Sequence, residues 1–237
     1  MSDLLRSIPN CVRWPDPCRP VRVRAWLQAP VAGDGLLPLD ALVFYHVVRA
    51  ELGPQLVTLP RANLVKRQLR LKMPFERRVP DHDPEAWYWA ASCAVWPEHT
   101  VQDVQYWTKQ FDEVRAERMV DFGGRRGYVR RTSGTYRAYR MPLVIRHALF
   151  ADWYAVADPE ALRWWLRWVR WIGKKTAQGW GAVKDWEVEV IDQDLSERLP
   201  DGRAVRPIPV PSSPVRWGVR PSYWDPRHRF PVVMPES

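Results

Sequence analysis

The stretch Ala148 to Ile191, ALFADWYAVADPEALRWWLRWVRWIGKKTAQGWGAVKDWEVEVI, decides the fold. Its first part, ALFADWYAVA, is apolar with aromatic and β-branched residues and predicts a buried strand. Asp158, Pro159 and Glu160 then supply an N-cap, a first-turn proline and an acidic first turn, which start a helix. Leu162, Leu166, Val169 and Ile172 recur at helical spacing, and Gly173 predicts the stop. The alternation in VKDWEVEVI predicts a closing strand.

Between that helix and strand lies GKKTAQGWG, Gly173 to Gly181. A helix C-cap accounts for Gly173 but not for Gly179 and Gly181 on either side of Trp180. The lysines precede the later glycines and the helix precedes the loop, so the order is not that of a nucleotide-phosphate loop or a dinucleotide fingerprint. What remains is a basic, side-chain-poor loop where an anionic chain can approach backbone amides. Lys174 and Lys175 suit phosphate and Gln178 suits a base edge, while Trp180 suits either stacking or anchoring in the core.

Upstream, VRVRAWLQAP (Val21 to Pro30) alternates as a strand, and LPLDALVFYHVVRAEL reads as a buried helix closed by Gly53. Leu64 to Met73 and Trp87 to Trp96 read as strands, the second apolar throughout and so central. Residues 103–118 fit neither period. YVRRTSGTYRAYR forms two extended arms about Ser133 and Gly134, a hairpin pattern. The order matches an α+β, ferredoxin-like βαββαβ core with an inserted hairpin near 123–146. The predicted division is a domain over 1–194 and a Pro-rich C-terminal arm over 195–237. That arm holds nine prolines beyond Leu195. Trp217, Tyr223, Trp224 and Phe230 are many aromatics for a solvated tail, and they predict an arm docked on the domain.

The 237 residues carry 36 Lys plus Arg against 27 Asp plus Glu, a formal charge of +9, with a pI near 9.8. That balance favours a polyanionic partner, nucleic acid before an anionic membrane. From Gly123 to Arg146 there are seven arginines and no acid, and from Arg61 to Arg78 seven basic residues and one acid. A solvated face usually mixes signs, so one-signed blocks point to a groove, with Arg125 and Arg126 at the start of the first. The three cysteines make neither a disulfide framework nor a zinc site. Cys93 reads as a small core residue. No basic-then-apolar leader and no apolar run of ~20 residues is visible, which predicts a cytoplasmic protein without a membrane partner.

Four segments in this order, WYWAASCAVW, TSGTYRAYRMPL, IGKKTAQGWGAV and RPSYWDP, resemble a known family. The glycine-rich loop with its strand looks like that of the RAMP superfamily of CRISPR-associated proteins. The set of four is similar, more narrowly, to the handle-binding, Cas-five-like subunit of type IV CRISPR effector complexes. This resemblance spans roughly Val21 to Pro226. It implies an RRM-related core with a thumb hairpin that holds the 5′ repeat-derived handle of a CRISPR RNA (crRNA). It implies a cap on a filament of Cas-seven-like backbone subunits, beside a large subunit and near the flanking motif of target DNA.

Carried onto these residues, the thumb is Tyr128 to Arg140. Arg130, Arg131, Arg137 and Arg140 are then expected on the RNA backbone, Tyr136 and Tyr139 beside bases, and Ser133 at the tip. Gly173, Lys174, Lys175, Gln178, Gly179, Trp180 and Gly181 form the expected loop contact. The RRM stacking motif is absent, because Val129 stands where Gly or Ala is needed. No cofactor, metal or catalytic residue is expected.

Two other readings stay open. One is a crRNA-processing endoribonuclease of the same superfamily using His46 or His147, though LVFYHVVRA around His46 reads as core. His82, His99 and His228 are isolated. The other is a protein-interaction module outside CRISPR biology. Its surfaces would be the Pro-rich arm and the belt of Trp164, Trp168 and Trp171, which reads more plainly as core with arginines lying over the rings.

Overall fold

A computed structural model describes residues 17–33, 35–53, 72–112 and 137–235. Along the chain run β1 (Arg19–Leu27), β2 (Val31–Ala32), α1 (Leu39–Leu52), β3 (Arg77–Arg78), β4 (Tyr88–Trp89) and β5 (Val101–Lys109). There follow β6 (Tyr139–His147), β7 (Phe150–Ala157), α2 (Pro159–Leu166), β8 (Val183–Val190), β9 (Ile208–Pro209), β10 (Arg216–Gly218) and β11 (Arg229–Val233). The architecture is mixed α/β, mostly strands, with two α-helices among the described residues.

The central sheet has the order β7-β1-β8, antiparallel throughout. Val21, Val23 and Ala25 of β1 alternate onto one fully buried face, as the period of two requires. Ala151, Trp153, Ala155 and Ala157 of β7 join them, and α2 covers that face with Ala161, Leu162, Trp165 and Leu166. Helix α1 adds Leu39, Val43 and Val47 to the same core. Small residues on the strands leave room for Trp153. Its ring packs 5.5 Å from that of Trp186, and its indole donates to the Leu37 carbonyl at 2.7 Å.

Strands β1, β7 and β8 and helix α1 lie where the sequence predicts them. Helix α2 is shorter than predicted. The Asp158 carboxylate caps it by accepting from Glu160 N and Ala161 N, but it ends at Leu166 with Arg167 as C-cap. Beyond it, Trp168 N and Val169 N bond to carbonyls three residues back. Val169 and Ile172 remain buried in the core. Their apolar spacing therefore marks burial, while the chain has already left the α-helical ladder.

Trp87 to Trp96 is no continuous central strand. It follows the free edge of β7 through single bridges, Ala91 to Ala155 and Val95 to Asp152. Ser92 Oγ accepts from Tyr154 N at 2.8 Å, substituting a side chain for a backbone carbonyl and interrupting the ladder. Of the predicted strand from Leu64 to Met73, only the end falls among the described residues, and Lys72 and Met73 are not in a strand.

Residues 204–233 lie against this edge. Arg206, 1% exposed, donates to the carbonyls of Trp89, Ala91 and Val219, and its guanidinium sits 4.2 Å from the Tyr88 ring. Arg220 donates to Glu85 O and Trp87 O at 2.7 and 2.9 Å and stacks on the Trp87 ring. Two buried guanidiniums thus donate to carbonyls of the irregular segment and of the turn and arm beside it. The small sheet β10-β11-β9 closes the arm.

Candidate nucleic-acid interface

The glycine-rich loop is tied at its neck. Ile172 N donates to Gly181 O at 2.9 Å, Gly181 N to Pro30 O at 2.8 Å, and Lys174 N to Ala32 O at 2.6 Å. A short 3-10 turn, Thr176–Gln178, forms the crown, entered by Lys175 in the left-handed conformation at φ 58°.

Two of the three glycines answer to the protein itself. A Cβ on Gly173 would stand 2.5 Å from Ala32 O, and one on Gly181 would stand 1.8 Å from Ile172 O. Gly179 also has a positive φ but has open space around it. What approaches the backbone at 173 and 181 is the chain's own main chain.

Strands β5 and β6 pair antiparallel from Val101↔His147 to Lys109↔Tyr139 and make a ribbon exposed along most of both faces. Of the stretch 103–118 that fits neither period, 103–109 belong to β5, 110–112 are not in a strand, and 113–118 lie outside the described residues. Tyr139–His147 pairs with that strand; the expected other arm of the thumb lies outside the described residues. Strand β2 joins ribbon and loop. Ala32 pairs with Ile145 of β6 on one side and bridges to Lys174 on the other.

The side chains complete the junction. Lys175 Nζ lies 4.0 Å from the Trp107 ring, and Trp107 Nε1 donates to the Tyr139 hydroxyl at 3.1 Å. On the ribbon's opposite face, the Arg140 guanidinium lies 3.9 Å from the Tyr106 ring. Tyr106 and Met141 are both 53% exposed. Cations held on aromatic faces beside exposed rings present both elements that single-stranded RNA uses, phosphate neutralisation and stacking.

Of the expected site residues, Lys174, Gln178 and Gly179 are exposed on the loop, Lys175 and Trp180 are half-buried, and Gly181 is buried. Arg137 and Arg140 are exposed and Tyr139 is half-buried. Arg125, Arg126, Arg130, Arg131, Ser133 and Tyr136 lie outside the described residues. Tyr106, Trp107 and Arg146 join the site only through the tertiary structure. Adjacent aromatics in VQDVQYWTK were the available signal.

The face of the central sheet away from the helices has a different character. Arg24 is bidentate to Asp152 at 2.7 Å and lies 3.8 Å from the Phe150 ring, while Arg22 pairs with Glu189 at 2.6 Å. Asp185 and Glu187 stand opposite Trp26 and Arg24 in the register. Carboxylates there offset the arginines, so this face does not match the one-signed character of the loop.

His46 is half-buried on α1, and burial, with Arg49 nearby, pushes its pKa down to about 4. His147 is exposed at the end of β6, opposite Val101. His82 and His99 are exposed, whereas His228 is buried. Asp83 caps the 3-10 turn at Pro84–Ala86 by accepting from Glu85 N. No group of three or more potential metal ligands occurs among the described residues. Nor is any helix there long and apolar enough to cross a membrane.

These features define a strand-rich α/β protein with a basic loop locked to an aromatic ribbon. Within that class the chain belongs to a CRISPR family: the family model for CRISPR type IV associated protein Csf3 matches residues 19–235. No curated protein matches the chain.

Proposed function

We propose that this protein is a non-catalytic, cytoplasmic RNA-binding subunit of a type IV CRISPR ribonucleoprotein, and that it holds the 5′ repeat-derived handle of the crRNA. The observation that carries this is the seat of Lys175 on Trp107, which joins the basic loop to the exposed ribbon. A single strand crossing this junction meets Lys174 and Gln178 on one element and Tyr139 and Arg137 on the other, and passes round the ribbon to Arg140 and Tyr106 on its far face.

In this proposal the core is ferredoxin-like and of the RAMP type. In support, the edge segment 90–95, β7, β1 and β8 lie side by side, each antiparallel to its neighbour. Both helices contribute to the main core on one face. The subunit then caps a filament of Cas-seven-like backbone subunits beside a large subunit and near the target's flanking motif. Membership of a type IV family supports assembly into a CRISPR complex.

The test is to express the protein with its neighbouring genes and CRISPR array, purify it, and sequence the ends of the bound RNA. A common 5′ end drawn from the repeat is expected. Random cellular RNA, or none, would remove the proposal.

A further inference from the structure

A cleft of about 630 Å³ opens at the foot of the ribbon, between the segment 93–98 and the C-terminal arm. Its walls include Trp96, Glu98, Gln102, Arg146, Arg203 and Trp217. We propose that it seats one nucleobase splayed from a single-stranded RNA that runs down the ribbon. The inference rests on the RNA-binding role proposed above and adds a place to it.

The register puts the cleft on a defined path. Gln102 and Arg146 are partners across β5 and β6, and the period of two places them on the face that carries Tyr106 and Arg140. A strand stacked on Tyr106 therefore reaches the cleft by continuing along that face toward the core. The volume falls within the ~300–1,000 Å³ of small-ligand sites, room for a base and its sugar.

The lining has the chemistry a lone base requires. Trp217 is 44% exposed on the arm and offers an indole face, the sequence-tolerant partner of any base. Gln102 is exposed and brings both a donor and an acceptor to a base edge. Arg146 is 7% exposed and donates to Gly33 O at 2.8 Å, with its guanidinium 5.6 Å from the Trp96 ring. A cation held in this way meets a flanking phosphate without first being ordered. Arg203, steered by Asp201 at 2.7 Å, stands on the arm's side.

The experiment uses the full chain, short single-stranded oligoribonucleotides and adenosine monophosphate as probes. Ultraviolet crosslinking with peptide mapping should mark Trp96 or Trp217. Trp217→Ala and Gln102→Ala should each weaken RNA binding about tenfold, and Trp217→Phe should restore most of it. The salt dependence of Trp217→Ala should match that of the unaltered protein, because stacking releases no counterions.

Unchanged affinity in Trp217→Ala and Gln102→Ala, with weaker binding in Arg140→Ala, would overturn the seat and leave the RNA-binding role standing. Saturable binding of adenosine monophosphate that Trp217→Ala abolishes, with RNA affinity unaffected, would overturn it in favour of a free-nucleotide site. Failure of every RNA to bind would overturn both.

Discussion

The Tyr223 hydroxyl donates to both carboxylate oxygens of Asp40, at 2.7 and 2.8 Å, across 183 residues of sequence. Asp40 is fully buried in the first turn of α1, and Tyr223 lies on the C-terminal arm. The contact fastens the arm to the helical side of the core. Tyr223→Phe strips a buried carboxylate of a hydroxyl donor and should cost about 1–3 kcal/mol. Urea unfolding at pH 7 measures this, and an unchanged midpoint would show that the arm is held without it.

Burial raises the Asp40 pKa to about 6, against the lowering pull of Arg206 and the Tyr223 hydroxyl. The folded state therefore binds more protons than the unfolded chain between about pH 4 and 6. Asp40 makes stability fall as pH rises through that window, by about 3 kcal/mol in all, with no further change above it. His46 and His228, both lowered to about 4, act with the opposite sign, adding stability as pH rises from about 4 to 6.5. Stability of Asp40→Asn minus that of the unaltered protein isolates the aspartate. The difference should grow from pH 4 to 6 and then level off; a flat difference would sink this assignment.

The loop glycines should separate by cause. Gly181→Ala drives a methyl into Ile172 O and Gly173→Ala one into Ala32 O, both at positive φ. Gly179→Ala meets open space and bears only the left-handed penalty of about 1–2 kcal/mol. Thermal unfolding should rank Gly179→Ala as the mildest of the three. Equal losses would mean that the neck is not the constraint.

Removing Arg206 takes a buried donor from the carbonyls of Trp89, Ala91 and Val219, of which Trp89 O keeps the Ala91 N–H. Arg206→Ala should therefore destabilise by about 3–5 kcal/mol and expose the arm to proteolysis. Arg216→Ala, at an exposed residue whose guanidinium donates to Arg229 O, is the control expected near wild type. Comparable destabilisation in both variants would argue against a specific clamp.

On RNA, Lys174→Ala and Lys175→Ala should each lower affinity and flatten the log–log salt slope by about 0.7 for each phosphate no longer neutralised. Trp107→Ala removes the ring beneath Lys175 and should weaken binding with a smaller change in slope, because the charge remains. A slope that stays constant in both lysine variants would take the loop out of the interface.

The sequence was most legible where one face of an element is buried. Arg19–Leu27 and Val183–Val190 show an alternation, and the Asp158–Pro159–Glu160 start is written in local cap chemistry. VQDVQYWTK was not legible because a ribbon exposed on both faces has no reason to alternate. The end of α2 was missed because Val169 and Ile172 stay buried after the helical ladder has stopped. The loop's glycines and lysines are legible in the sequence, but nothing local reveals that Gly173 and Gly181 accommodate main-chain oxygens.

What the sequence by itself determined is therefore local: strand alternation, helix start, a one-signed charge pattern and a docked-looking aromatic arm. Tertiary structure alone decided which distant residues meet: Lys175 on Trp107, Tyr223 on Asp40, and Arg206 beneath three carbonyls. The reason is physical. Periodicity and capping act over a few residues and leave a signature in order, whereas a buried donor finds its acceptor only after the chain has closed around both.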